Sequence, residues 1–324
     1  MTGGSRFRPR LTDLVERYAL LAVWGVTVIV FGVLRPDTFL STANFSTIFG
    51  SQAILVVLTL ALLPPLTAGD YDLSVAATMG LAAMTLAILN VNHGWSIGTA
   101  IAAALAVGLL VGAINGGLVV LLGIDSLIVT LGTSTFLAGV ILWISNSQTI
   151  SGVSIRLIDY VVVKQVLGIP LAFYYGIALG LVMFYVFEFM PVGRRLLFVG
   201  RGRSVARLSG IRVVRLRWGA FVVSGVISAF AGVLYVGTLG SADPTSSLSF
   251  LLPAFAAAFL GATTILPGRF NPIGSIAAVY FLVTGITGLQ LLGVQTFVQQ
   301  LFYGGALVLA VALSQLARRG EETA

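Results

Sequence analysis

The strongest constraint on this chain is its supply of apolar runs about as long as a bilayer is thick. A helix needs about 20 predominantly apolar residues to cross the hydrocarbon core. Such runs fall at 18–34, 51–69, 73–91, 96–122, 126–145, 170–190, 218–239, 249–266, 272–291 and 296–316. Hydrophobic residues fill 58% of the 324 positions and charged ones 9%. An ordinary soluble domain is roughly a quarter charged, so the composition excludes one. Inside lipid every backbone polar group must be satisfied within the segment, which these runs achieve as helices. The expected fold is all-α: a polytopic membrane protein of about ten transmembrane helices. A single membrane domain would span 18–316, with tails at 1–17 and 317–324 and a long polar loop at 191–217. The first run follows Arg6, Arg8, Arg10 and Arg17 and leads into Leu34-Arg35-Pro36-Asp37. That ending lacks a small-residue cleavage site, so a retained span is expected rather than a signal peptide.

Charge sets the expected orientation. The net charge is +7, and eight of the 18 basic residues lie between Gly193 and Arg217, a stretch without an acid. Each arginine at bilayer depth would cost about 2.5–3.5 kcal/mol, so this stretch must lie outside the hydrocarbon. The positive-inside rule places it in the cytoplasm with both termini, leaving Arg35, Arg156 and Lys164 outside. Topology also explains the basic balance without a nucleic-acid partner. Within the loop, Val205, Leu208 and Ile211 share one helical stripe, while Arg203 and Arg207 share another. Gly202 and Gly210 bracket this short helix as breaker and C-cap. On residue pattern alone, the helix can rest on anionic lipid, form a structured loop, or dock a cytoplasmic partner.

Polar residues also occur at membrane depth. In "LLPPLTAGDYDLSVAATMGLAAM", Pro64 and Pro65 are expected to end regular helix, and a small-residue helix starts near Ser74. Asp70, Tyr71, Asp72 and Ser74 are candidates to line a solute pathway at this break. Asp72 can also cap the following helix, and Asp70 can sit exposed in a cytoplasmic turn. In "DSLIVTLGTSTFLAGVILWIS", Asp125 and Ser126 read as a cap. Thr130, Thr133 and Ser134 give that helix a hydroxylated side, suited to close helix packing or to solute contact. Pro244, Pro253, Pro267 and Pro272 surround an unusually short run, where a broken or re-entrant span is expected. His93 is expected in a solvated turn, and Glu188 is expected to pair with Arg194 or Arg195.

Taken together, "DLSV" after the second span, "SLIVTLGT", "ARLSGI", "GSADPT" and "LLGVQTFVQQLFYGGALVLAVAL" resemble hallmark segments of the permease subunits of ribose-type ABC sugar importers. The resemblance runs from about Ala53 to Leu316. It implies an inner-membrane permease that pairs with a second copy or a sister chain. It also implies two cytoplasmic ATPase domains that bind ATP with magnesium, and an external solute-binding protein that delivers a sugar. By the same resemblance, Arg203, Val205, Ala206, Arg207, Leu208, Ser209, Gly210 and Ile211 form the coupling helix that contacts the ATPase. Two departures from the family pattern stand out. Asp70-Tyr71 replaces a usual Gly-Ile ahead of Asp72, and Leu266–Pro272 replaces a glycine-rich segment.

Other functions fit less well. The chain has no phosphate-cradling Gly-x-x-x-x-Gly-Lys-Ser/Thr loop, its sole lysine being Lys164, so it is expected to bind no nucleotide itself. No metal site is expected either. Without cysteine, and with a single histidine, no catalytic constellation can be assembled. The remaining alternative is an ion-coupled secondary transporter that uses Asp70 or Asp72.

Overall fold

A computed structural model describes residues 11–295 and 297–322. It is helical throughout apart from two short antiparallel pairs, and it carries eight helices long and apolar enough to cross a membrane plus two shorter apolar ones. These ten segments coincide with the ten apolar runs of the sequence. Arg6, Arg8 and Arg10 lie outside the described residues.

The helix α1 (Leu11–Leu34) leads through a short turn, α2 (Pro36–Phe39), and α3 (Thr42–Ser51) into α4 (Ala53–Thr67). Every residue of α4 is buried, so this helix forms the centre of the molecule. Pro64 and Pro65 do not break it, contrary to the sequence expectation. They occupy its last turn, where the fixed proline φ is helix-compatible and their carbonyls accept from Ala68 and Asp70. The chain turns at Gly69 (φ +76°) and enters α5 (Val75–Ala87). Then come α6 (Ile97–Gly116) and α7 (Ser126–Ile144), the latter capped by Asp125, whose carboxylate accepts from the Leu127 amide at 2.9 Å.

Between α7 and α9 (Leu171–Phe189) lie β1 (Ile150–Ser151), α8 (Ile155–Ile158), and the pair β2 (Gln165–Val166) and β3 (Ile169–Pro170). Next are α10 (Pro191–Arg201), α11 (Arg203–Leu208) and the 27-residue α12 (Val213–Leu239). The strand β4 (Ser241–Ala242) pairs with β1, setting Ile150 opposite Ala242. The chain ends with α13 (Leu251–Gly261), α14 (Pro272–Leu291) and α15 (Phe297–Glu322). At about 17 Å, α13 is too short to cross a core of about 30 Å, in keeping with the broken span expected there. The last span continues as helix through Arg318 and Arg319 to Glu322.

Two groups of helices share α4. On one side α12 packs against α4, α5 and α6; on the other α13, α14 and α9 do so. In lipid, where apolar association gains little from water release, small residues permit this close approach. Gly108 and Gly112 of α6 lie directly on Phe221 and Gly225 of α12, so a Cβ on any of these glycines would strike backbone.

Candidate coupling and transport site

The arginine stretch is not one loop: it holds most of α10, all of α11 and the first residues of α12, which carry Arg215 and Arg217. Pro191 starts α10, and Gly193, Leu196 and Val199 form its buried stripe while its arginines face outward. Gly200 sits on the Thr67 carbonyl at the end of α4, an approach that tolerates no side chain. The following helix α11 covers the segment expected to form a coupling helix. It ends in a Schellman motif: Ile211 N–H donates to the Ala206 carbonyl and Gly210 N–H to that of Arg207, both at 3.1 Å, with Gly210 at φ +77°. Ala206 is its buried contact, packed with Val199 and Val213. Arg203, Val205, Arg207 and Ser209 are exposed, and Leu208 is 89% exposed. Ile211 is half-buried, so only two of the three apolar stripe residues face outward.

One carboxylate ties this platform to the bundle. Asp70, just past α4, is 2% exposed. Its Oδ2 accepts from Arg217 Nε at 2.7 Å, and its Oδ1 accepts from Arg217 Nη2 at 2.7 Å and Arg203 Nη2 at 2.8 Å. Arg203 also donates to the Gly69 carbonyl at 2.8 Å. Asp70 is therefore no exposed turn residue: it is the buried centre of a three-residue ionic knot spanning α4, α11 and α12. No ion pair with a described acid holds Arg195, Arg201, Arg207, Arg212 or Arg215. A cleft of about 460 Å³ lined by Arg195, Arg212 and Arg215 opens beside them. Glu188 pairs with Arg269, Nη2 to Oε2 at 2.6 Å, rather than with Arg194 or Arg195. Arg194 instead donates to the Phe189 carbonyl.

Beside the knot lies a neutral-donor network around Asp72, which is 1% exposed. Its Oδ1 accepts from the Ser74 amide at 3.0 Å and hydroxyl at 2.6 Å, and its Oδ2 accepts from Ser224 Oγ at 2.8 Å. These bonds fold Asp72 over Ser74, the residue before α5; no side chain caps α5 itself, so Asp72 is not its cap. Asn115 donates to Ser74 Oγ at 2.8 Å and accepts from Thr133 Oγ1 at 2.7 Å. Ser126 Oγ accepts from the Tyr71 amide and Thr130 Oγ1 from the Leu73 amide, so α7 hydroxyls satisfy the non-helical backbone between α4 and α5. The structure thus gathers Asp72, Ser74, Thr130 and Thr133 into one hydrogen-bonded cluster beside Asp70, with Ser134 buried on the same helix. The Tyr71 side chain is exposed. Asn115 and Ser224 complete the cluster and were not among the residues singled out by sequence. A lone amide in the apolar run 96–122 was the available signal for Asn115.

At the opposite end of α4, about 22 Å away along the helix, a cavity of about 840 Å³ opens beside Gln52. Its lining comes from α13 and the turn before it, and from the first turns of α15, including Ser249, Gln299, Gln300 and Tyr303. His93 lies exposed in its turn.

A bundle of this kind, with an outward-facing helical platform at one end and an open cavity at the other, belongs to the class of membrane transport subunits. Residues 36–311 match the family of permease components described as a branched-chain amino acid transport system, and the chain belongs to that family. It is 30% identical over 301 residues to the D-allose transport system permease protein of Escherichia coli K12, covering 93% of this chain and 92% of that protein. It is similarly 30% identical over 301 residues to an autoinducer 2 import system permease protein of Salmonella typhimurium, covering 90% of this chain and 89% of that one. Identity to the L-arabinose transport system permease protein of E. coli K12 is 28% over 314 residues, covering 95% and 93%. No solved structure matches the chain. The chain is a multi-pass permease component of a transport system.

Proposed function

We propose that this permease is the membrane subunit of an ABC importer in a bacterial inner membrane, carrying a sugar or similar small polar solute delivered by an external binding protein. Its arginine platform faces the cytoplasm with both termini. Two such chains, or this chain and a sister, would form the pathway across a two-fold axis. Separate ATPase subunits would hydrolyse ATP and bias the permease between inward-open and outward-open states. The observation that carries this reading is the pairing of exposed Val205, Arg207 and Leu208 on α11 with the buried Asp70 knot behind them. A partner pressing on α11 moves Arg203, and Arg203 grips the end of α4, the central helix. Force applied at the surface thereby reaches the core of the bundle. The platform arginines that no described acid pairs with suit acidic groups on the partner. The ion-coupled alternative needs a carboxylate at Asp70 or Asp72 free to exchange a cation. Asp70 already holds two guanidinium groups, and both Asp72 oxygens accept from Ser74 and Ser224.

The test is co-purification. Arg207→Glu combined with Leu208→Asp should abolish recovery of the ATPase subunit with the permease while leaving membrane insertion and yield unchanged. Retained association removes the docking role of α11.

A further inference from the structure

The cavity at the end away from the platform has a lining whose chemistry selects a solute. Its polar groups are the amides of Gln52, Gln299 and Gln300, the Ser249 hydroxyl and the Tyr303 phenol. The remaining surface is apolar, with the rings of Phe250 and Phe297 among it. Among the described residues no charged side chain lines it. At about 840 Å³ it lies within the range of sites for small molecules. The amides of Gln52 and Gln300 bring paired donors and acceptors. Gln299 Oε1 already accepts from Gln290 at 3.4 Å. The Ser249 hydroxyl donates to the Ser246 carbonyl at 2.6 Å, which leaves its lone pairs to accept from a solute. Such a set satisfies a molecule whose every polar group is itself a hydroxyl, and the rings cover its C–H faces.

The same lining works against a charged solute. An amino acid would bring a carboxylate and an ammonium group, each losing water without an ionic partner in return. The family description names branched-chain amino acids, but the described lining residues lack the counter-charges that such a solute requires. The position is suitable for gating. Gln52 lies at the junction of α3 and α4, and α4 carries the Asp70 knot at its far end, so platform and cavity share one rigid element.

We infer that Gln52, Gln299, Gln300, Ser249 and Tyr303 form a transit site for a neutral polyhydroxy solute, and that this site rejects amino acids. The inference rests on the permease reading above and specifies the residues that meet the solute.

The experiment uses the permease co-expressed with its cognate ATPase and binding protein. Uptake is measured for a panel of labelled aldopentoses and aldohexoses, including L-arabinose and D-allose, and for L-leucine. The wild-type complex should move at least one aldose and not leucine. Gln52→Leu and Gln300→Leu should each lower aldose uptake about tenfold, the loss expected for one unreplaced hydrogen bond, with unchanged permease level and ATPase association. Because the chain has no cysteine, Ser249→Cys offers a second readout. The transported aldose, presented on the binding protein, should slow its labelling by an impermeant maleimide severalfold, and leucine should not. Wild-type aldose uptake with both leucine variants within twofold of normal, and no protection of Cys at 249, overturns the transit site alone. A wild-type complex that moves leucine, or no aldose at all, overturns the sugar-permease reading and this inference with it.

Discussion

The two ends of α4 solve opposite problems with opposite chemistry. At one end Asp70, Arg203 and Arg217 lock three elements through charge, and Asp72, Ser74, Asn115 and Thr133 extend the order through neutral hydrogen bonds. At the other end the described polar groups line open space and carry no charge. A pathway must bind weakly enough to release, so groups that each contribute little suit it. A transmission point must not slip, and a buried charge pair is costly to break. The comparison separates rigidity from selectivity and puts each at its own end of one helix.

Breaking the charged end should have the largest effect. Asp70→Ala leaves Arg217, only 14% exposed, without its partner, and losing one member of a buried pair costs about 3–5 kcal/mol. The variant should therefore lose a large part of its thermal stability in detergent. Arg217→Met alone should cost a similar amount. Combined with Asp70→Ala it should cost much less than the sum, because the double variant buries no unpaired charge. Additive losses would show that the knot is not an energetic unit. Since Arg203 is 43% exposed, its link to Asp70 is screened and worth about 1 kcal/mol or less. Arg203→Ala should thus spare stability, and any loss of transport it causes reports on coupling.

How much of this end was legible in the sequence depended on distance along the chain. Ten apolar segments, eight of them long enough to cross a membrane, the Asp125 cap and the short helix closed by Gly210 are local patterns of period and punctuation, and the structure shows all of them. The amphipathic α10 was also local. Gly193, Leu196 and Val199 recur at helical spacing, but the density of arginines made the segment read as a loop. The partners of Asp70 lie 133 and 147 residues away, and Arg269 lies 81 residues from Glu188. No local pattern specifies such pairings, so Asp70 was open to reading as a pathway residue or an exposed turn, and Glu188 was matched to the nearest arginines. The helix through Pro64 and Pro65 was hidden for a related reason. Whether a proline ends a helix depends on which carbonyls it leaves without a donor, and these lie in a final turn held by surrounding helices.

The neutral network should yield a smaller effect, which sharpens the contrast with the ionic knot. Hydrogen bonds between membrane helices average about 0.6 kcal/mol and reach about 1.7. Asn115→Leu removes one donated and one accepted bond, so about 1–2 kcal/mol is expected. Ser224→Ala takes one of the hydroxyl donors from Asp72 and should cost a similar amount. Stability of purified protein in a thermal series checks both. A loss as large as that of Asp70→Ala would mean that Asp72, not Asp70, anchors the break after α4.

The smallest expected effect lies in the turn that leads to the cavity, and it is visible only through pH. Asp243 accepts from the Ser246 hydroxyl at 2.7 Å, the Thr245 amide at 2.9 Å and the Ser246 amide at 2.8 Å, with Thr149 Oγ1 on its other oxygen at 3.0 Å. The Ser246 hydroxyl and the Thr245 amide, chiefly, hold its carboxyl well below the usual carboxylate range. A carboxyl depressed in the folded state stabilises the protein above its unfolded value, about 3.9, and the contribution fades as pH falls below that. Asp243→Asn should therefore be less stable than wild type near neutrality, and the gap should narrow on acidification below about pH 4. Asp243 is only half-buried, against the fully buried Asp70, so the gap should be modest beside that of Asp70. Comparing the two proteins at each pH cancels the titration of all other carboxylates. A gap constant down to pH 3 would show that Asp243 orders the turn through hydrogen-bond geometry alone, with its charge contributing nothing.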